Sequence, residues 1–151
     1  MQITSPVFTH NTALPDLYTC NGDDINPPLD ISGVPVGTRS LVLIVDDPDA
    51  PDPAAPRVVW EHWIVWNIDP ATSAIAAGSI PPGAVQGTNS WGRTEYGGPC
   101  PPIGTHRYFF KLYALDTDLA LGTTSIKADV EAAMQGHVLA RAELIGLFGS
   151  G

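Results

Sequence analysis

The sequence predicts a mainly β domain, built from many short strands joined by structured turns, with one short helix near the C-terminus. The chain has 151 residues, and its 15 Gly and 15 Pro are spread along it without a repeat period. This composition favours turns over a helical bundle. Runs rich in β-branched and aromatic residues, bounded by Gly or Pro, supply the strands. The length fits one domain, spanning residues 1–151.

Three such runs predict the main strands. Residues 39–46 (RSLVLIVD) lie between Gly37 and Pro48 and are apolar at most positions, which is typical of a strand buried on both faces. The second run is 60–68 (WEHWIVWNI), and the third is 106–115 (HRYFFKLYAL). We expect these three strands to form the centre of the fold.

The C-terminal region predicts a helix followed by a last strand. Ser125 can cap a helix over residues 126–135, and Gly136 ends it. Residues 138–148 (VLARAELIGLF) read as the strand. The helix is expected to bury one face, formed by Ile126, Val130, Ala133 and Met134.

A long connection, residues 69–105, holds six prolines and seven glycines and shows no periodicity. Ordered connections of this length are usually functional, so we expect a binding loop. The alternative is a disordered insertion, which Trp91, Tyr96 and the GGPCPP run disfavour. The two cysteines, Cys20 and Cys100, are compatible with either a disulfide or two free thiols.

The charge balance excludes some partners. Seven Lys and Arg against 16 Asp and Glu give a net charge of -9, which argues against binding to nucleic acid or to anionic membranes. No apolar run predicts a membrane span, and the N-terminus does not read as a signal peptide, so a cytoplasmic location is expected. A homodimer is compatible with the exposed aromatic strands.

Strand alternation predicts which side chains share a face. In the third strand His106 and Tyr108 lie on one side, with Phe110 and Leu112. In the second strand His62 is expected on the side of Ile64 and Trp66, opposite Trp63. Asp47 is expected just beyond the end of the first strand, where Pro48 and Pro51 fix the turn.

These groups predict a small anion pocket. Either histidine can donate to an oxyanion, Tyr108 adds a hydroxyl, and the backbone amide at Gly98 can approach a ligand because glycine has no side chain. Asp47 is expected to orient one imidazole. Each residue also has a structural alternative, in which the histidines bond to backbone carbonyls and Tyr108 belongs to the core. Arg107, on the reverse face, is expected to pair with a carboxylate.

Four motifs carry a family resemblance: TCNGDDINPPL (19–29), DPDAP (47–51), WEHW (60–63) and GGPCPPIGTHRY (97–108). In this order they resemble the phosphatidylethanolamine-binding protein family, and within it the bacterial branch similar to Raf kinase inhibitor proteins. The resemblance implies a β-sandwich with a flanking C-terminal helix. It also implies a pocket that accepts phosphate, acetate or phosphorylated headgroups.

The resemblance places ligand contacts on five residues and lining positions on four more. Glu61 stands where animal members carry a second histidine, and Cys100 replaces one of their loop prolines. The ligand contacts are Asp47, His62, Gly98, His106 and Tyr108, and the lining is Pro51, Trp60, Pro99 and Cys100.

Three functions follow as hypotheses. The first is a non-enzymatic protein that binds a small anion or phosphorylated ligand, with a regulatory role and without catalytic residue, metal or cofactor. The second is a hydrolase or metalloenzyme that uses His62, His106 and Asp47, although the sequence contains no motif for an activated nucleophile. The third is a regulator, such as a kinase or protease inhibitor, that binds a partner protein through its surface.

Overall fold

The computed structural model describes residues 1–149, which form two β-sheets and one α-helix. Residues 150 and 151 of the predicted domain lie outside the described range. The helix is α1 (Lys127–Met134), and a 3-10 turn covers Asp16–Tyr18. The strands are β1 (Gln2–Thr4), β2 (Thr12–Ala13), β3 (Leu29–Ser32), β4 (Ser40–Ala50), β5 (Val58–Ile68), β6 (Ala74–Ile75), β7 (Val85–Gln86), β8 (Thr105–Leu115) and β9 (Val138–Gly149).

The larger sheet has six strands in the order β2-β9-β8-β4-β5-β7, and the smaller sheet has the order β1-β3-β6. Neighbouring strands are antiparallel except for β2 and β9. The mainly β architecture with a short C-terminal helix is therefore confirmed, and the sandwich implied by the resemblance is confirmed with it.

Strand β4 is buried on both faces, as its apolar run predicts. Leu41 and Leu43 pack in the core between the two sheets, together with residues of β1, β3 and β6. Val42 and Ile44 point the other way, into a second core cluster that includes Val130 of α1. Each face of the large sheet is thus covered by its own layer.

Strand β4 extends to Ala50, beyond the predicted end at residue 46. Strand β8 pairs with β4 only as far as Asp46, and the register with β5 shifts between Asp47 and Ala50. Pro48 therefore lies at an irregular position, where proline is tolerated in a strand. Asp47 consequently lies within β4, whereas the sequence predicted a position just past the end of the strand.

The helix starts one residue later than predicted. The Asp129 carboxylate accepts a hydrogen bond from the backbone N–H of Ile126, at 3.0 Å, so this acidic side chain caps the first turn in place of Ser125. Val130 and Met134 are buried as expected, whereas Ile126 precedes the helix and is 44% exposed. Gly136 follows the helix with a φ of 79°.

The long connection, residues 69–105, is ordered, and it contains the short strands β6 and β7. Cys20 and Cys100 form a disulfide, which ties the end of this connection to the N-terminal region. The structure thus decides between the two states that the sequence left open. No helix among the described residues is long and apolar enough to cross a bilayer.

Candidate functional site

A cavity of about 480 Å³ opens at one end of the large sheet. Its volume is within the range of roughly 300–1,000 Å³ that is usual for small-molecule sites. Strands β4, β5 and β8 supply its polar side chains, and the connection before β8 supplies one wall. The lining residues are Asp47, Ala50, Pro51, Arg57, Val58, Trp60, His62, Trp91, Cys100, Pro101, Pro102, His106 and Tyr108.

Both predicted histidines face this cavity. The rings of His62 and His106 lie on either side of Tyr108, with centroid distances of 5.2 and 6.3 Å to the phenol ring. Of the nine residues expected at the site, seven line the cavity, and Gly98 and Pro99 do not. The common cavity that the sequence predicts is therefore present.

His62 reaches the cavity through a β-bulge. Val45 of β4 pairs with Trp63, whereas the next residue, Asp46, pairs with Glu61, so His62 is an extra residue in β5. The bulge places His62 against Tyr108, on the face of Trp63, while Ile64 packs on the opposite face. The predicted side of His62 was wrong, because alternation assumes an uninterrupted register.

The His62 ring is held by one hydrogen bond and is otherwise unpartnered. Its Nδ1 lies 2.7 Å from the carbonyl oxygen of Gly97. A carbonyl oxygen only accepts, so Nδ1 carries a hydrogen. Nε2 has no partner among residues 1–149. Burial lowers the pKa of His62 to about 4, partly offset by the bond to Gly97.

His106 is fully engaged by the protein. Its Nδ1 lies 2.6 Å from Oδ2 of Asp47, and its Nε2 lies 2.9 Å from the carbonyl oxygen of Ile103 and 3.1 Å from that of Pro51. Burial raises the pKa of Asp47, and the hydrogen bond with His106 opposes this rise. Both ring nitrogens of His106 thus face oxygen acceptors of the protein.

Asp47 therefore orients an imidazole, as expected, but His106 does not offer a free N–H to a ligand. Either histidine was expected to donate to an oxyanion, but Nε2 of His106 already faces two backbone carbonyl oxygens. The Tyr108 hydroxyl has no protein partner in the described part of the chain. Burial raises the pKa of this phenol, so the hydroxyl remains a donor at any physiological pH.

Gly98 has a structural role. Its backbone N–H donates to Oδ1 of Asp24 at 2.7 Å, so this amide is not available to a ligand in the cavity. A Cβ at this position would meet the Asp24 carboxylate, and it would lie 2.6 Å from the carbonyl oxygen of Tyr18. The glycine is required because two loops meet here, and the amide that was expected to contact a ligand is bonded to Asp24 instead.

The loop around Gly98 is fastened to the region around Cys20. The Cys20 N–H donates to the carbonyl oxygen of Pro99 at 3.1 Å, and the disulfide joins Cys20 to Cys100. Cys100, Pro101 and Pro102 form the cavity wall beyond it. Since Gly97 of the same loop orients His62, the disulfide also supports the position of this imidazole.

Six lining residues were not among the nine predicted site residues, and two of these six, Trp91 and Arg57, have an aromatic or a charged side chain. Trp91 packs edge-on against His62, at 5.1 Å between ring centroids, and is 40% exposed. Arg57 is exposed at the mouth, and its guanidinium makes no ion pair within residues 1–149. Trp91 could have been predicted from the sequence, because it is an aromatic residue in a loop rich in Pro and Gly. Arg57 is the only Lys or Arg between Arg39 and Arg93, which was a signal for it.

The reverse face of the sheet carries separate ion pairs. Arg107 binds Asp49 through two hydrogen bonds of 3.0 and 2.8 Å, which confirms its predicted pairing with a carboxylate. These bonds lower the pKa of Asp49. Glu61 also belongs to this face, where burial raises its pKa in spite of the charge of Lys127. In the described residues, no group of three or more His, Cys, Asp or Glu side chains is arranged to hold a metal ion.

Comparisons with known proteins agree with the fold and the motifs. The chain is 48% identical over 156 residues to a UPF0098 protein of Methanothermobacter thermautotrophicus, with 100% of both sequences covered. The solved structure of the homologue CT736 from Chlamydia trachomatis has a TM-score of 0.93 at 43% identity and covers 99% of this chain and 97% of its own. YbcL of Escherichia coli has a TM-score of 0.89 at 33% identity, with 99% and 98% covered. A family model described as phosphatidylethanolamine-binding protein matches residues 4–149, so the chain belongs to that family.

Proposed function

We propose that this chain is a non-enzymatic binding protein for a small anion, with a regulatory role. The candidate ligands are phosphate, a phosphorylated headgroup and a phosphorylated side chain of a partner protein. The cavity between β4, β5 and β8 is the proposed site. One observation carries the proposal: Nε2 of His62 and the hydroxyl of Tyr108, both without a protein partner among the described residues, belong to neighbouring rings that line the same mostly apolar cavity.

Charge at the cavity supports an anionic ligand in spite of the net charge of -9. The Asp47 carboxylate is bonded to the His106 ring and to the backbone N–H of Asp49, so it repels an anion less than a lone Asp would. Arg57 adds an exposed guanidinium at the mouth. A guanidinium binds phosphate and carboxylate groups through two parallel hydrogen bonds.

The hydrolase alternative has less support. Both nitrogens of His106 are bonded to acceptors, so only Nε2 of His62 could take the proton as a general base. The described lining contains no Ser or Thr hydroxyl that this nitrogen could activate. The one cysteine in the lining, Cys100, belongs to a disulfide. The cytoplasmic location stays a prediction, and the disulfide weighs against it because disulfides are rare in reducing compartments.

Titration with phosphate and with acetate tests the proposal. The histidine ring signals and the tryptophan fluorescence are followed, and we expect the His62 ring and Trp91 to respond at millimolar ligand. Arg57→Gln should weaken phosphate binding several-fold, whereas Arg141→Gln, remote from the cavity, should leave it unchanged. If neither His62 nor Trp91 responds to tens of millimolar phosphate or acetate, the cavity is not an anion site.

A further inference from the structure

A second cavity, of about 590 Å³, is separate from the first and shares no lining residue with it. Its walls come from residues 23–26 before β3, residues 78–80 between β6 and β7, Gln86 of β7, and the connection that follows β7. Residues 23–26 belong to the TCNGDDINPPL motif, to which the proposed anion-binding function gives no role. This cavity therefore needs an explanation of its own.

Asn26 presents a buried acceptor to this cavity. The residue is only 5% exposed, and its Nδ2 donates to the carbonyl oxygens of Ala76 and Ser79, both at 3.1 Å. Because both partners only accept, the amide nitrogen must face them, which turns Oδ1 away from them. Oδ1 accepts no hydrogen bond within residues 1–149, and it is not one of the fully enclosed atoms without a partner, so it is reached from the cavity. A buried acceptor of this kind calls for a donor from a ligand.

Two further side chains of the lining are fixed at one end by the protein. Oδ1 of Asp24 accepts from the backbone N–H of Gly98 at 2.7 Å, and Oδ2 has no partner in the described part of the chain. Oε1 of Gln86 accepts from the indole N–H of Trp63 at 2.6 Å. Since an indole nitrogen only donates, the amide nitrogen of Gln86 faces away from it, and this nitrogen also has no partner among the described residues. The cavity thus offers two oriented acceptor oxygens and one oriented N–H donor.

The charge of the lining favours a cation. Arg93 pairs with Glu95 at 3.4 Å on the surface, so these two charges offset each other. Asp23 and Asp24 belong to no ion pair within the described range and leave the cavity negative. Metal ions such as Ca²⁺ take about 6–8 oxygen ligands, and no group of three or more His, Cys, Asp or Glu in residues 1–149 is arranged to hold a metal. An ammonium group needs fewer acceptors, because it donates only three hydrogen bonds.

We propose that the second cavity binds a small primary amine in its ammonium form. The ammonium N–H groups donate to Oδ2 of Asp24 and Oδ1 of Asn26, and an oxygen of the ligand accepts from the amide nitrogen of Gln86. Ile25 and Ile80, which also line the cavity, contact the carbon atoms of the ligand. This site is independent of the proposed anion site, because the two cavities have no lining residue in common.

Glycinamide and propionamide form a matched pair of probes, because they differ only in an ammonium group against a methyl group. The pKa of an α-amino group is about 7.7–8.0, so glycinamide is mostly a cation at about pH 6. Betaine amide, the trimethyl analogue, keeps the charge but has no N–H on the cationic nitrogen. NMR follows the side-chain amides of Asn26 and Gln86 and the backbone amide of Gly98. We expect glycinamide to shift all three signals saturably and to bind at least about tenfold more tightly than either analogue, since both analogues lose charge-assisted hydrogen bonds.

Two variants complete the test. Asp24→Asn keeps an acceptor oxygen for the N–H of Gly98 but removes the negative charge, so the affinity for glycinamide should fall at least about tenfold. Asp69→Asn is the matched control, because Asp69 also accepts a backbone N–H, that of Ala71 at 2.8 Å, and lies outside the lining of the cavity. This control should bind glycinamide as the wild type does. Thermal unfolding checks that both variants fold, and the three probes decide on wild-type protein alone if Asp24→Asn does not.

Several outcomes would overturn the amine site. Equal affinity for glycinamide and propionamide would show that the ammonium group is not recognised. Equal affinity for betaine amide would reduce the cavity to a general cationic attraction without hydrogen bonds. Glycinamide shifts at His62 and Trp91 in place of Asn26 and Gln86 would put the amine in the first cavity, and the absence of any shift at tens of millimolar glycinamide would remove the site. None of these results affects the proposed anion-binding function, which the phosphate and acetate titrations test separately.

Discussion

Asp47 and His106 form a buried pair in which Oδ2 lies 2.6 Å from Nδ1, with side-chain exposures of 4% and 1%. The carboxylate is fixed further by the backbone N–H of Asp49, which donates to Oδ1 at 2.7 Å. The pair joins β4 to β8 at the base of the cavity. Its geometry is that of a structural pair, so the proposed function assigns ligand recognition to the neighbouring His62 and Tyr108.

Replacement of Asp47 by Ala should therefore destabilise the fold strongly. The change leaves Nδ1 of His106 buried without a partner, and removal of one member of a buried pair costs about 3–5 kcal/mol. Urea denaturation measures the free energy of unfolding. Asp118→Ala is the control, because Asp118 pairs with Arg39 on the surface at 3.7 Å, and its loss should stay below about 1 kcal/mol. Equal losses in the two variants would contradict the structural role of Asp47.

His62 should titrate far below an ordinary histidine, with an NMR midpoint near pH 4. Its pKa in the unfolded chain is about 6.5, so the folded state favours the neutral ring. This contribution to stability is complete above pH 6.5 and is lost as the pH falls towards 4, and it amounts to about 3 kcal/mol.

The variant His62→Gln isolates this contribution, because glutamine does not titrate. The free energy of unfolding of the wild type should fall relative to that of the variant by about 3 kcal/mol between pH 7 and pH 4. A difference that is independent of pH, or an imidazole midpoint near 6.5, would show that the His62 ring is open to solvent.

Alternation predicted the cavity-facing residues of β8 correctly and failed in β5. Strand β8 pairs without a register shift from His106 to Ala114 with β9, so its period of two is preserved. In β5 the bulge at His62 reverses the pattern. The residues around His62 include no glycine that would have marked a bulge, so only the pairing with β4 reveals it.

The second sheet was also beyond residue-level prediction. Strands β1, β3 and β6 have two to four residues each, which is too short for a periodic pattern. Gly98 illustrates a different limit, because a glycine indicates close approach without telling whether a ligand or another loop is the neighbour.

Gly98→Ala should lower stability, since its Cβ would meet backbone atoms of Tyr18 and Thr19 as well as Asp24. Overpacking of this kind typically costs about 1–3 kcal/mol. Gly122→Ala is the control, because a Cβ at Gly122 has no described heavy atom within 4 Å. Thermal unfolding compares the two variants. A stable Gly98→Ala protein with reduced phosphate affinity would return Gly98 to the ligand site.

The disulfide should stabilise both the fold and the cavity wall. It closes a long loop, with a sequence separation of 80 residues from Cys20 to Cys100, and loss of a native disulfide typically costs about 2–5 kcal/mol. In urea denaturation, the double variant Cys20→Ser, Cys100→Ser should have a free energy of unfolding that is lower by this amount, whether or not reductant is present. The stability of the wild type should fall to that of the double variant only after reduction. Because the same loop carries the carbonyl that orients His62, phosphate affinity should fall in the double variant. Full alkylation of both cysteines in unreduced, unfolded wild-type protein would contradict the link, since it would show free thiols.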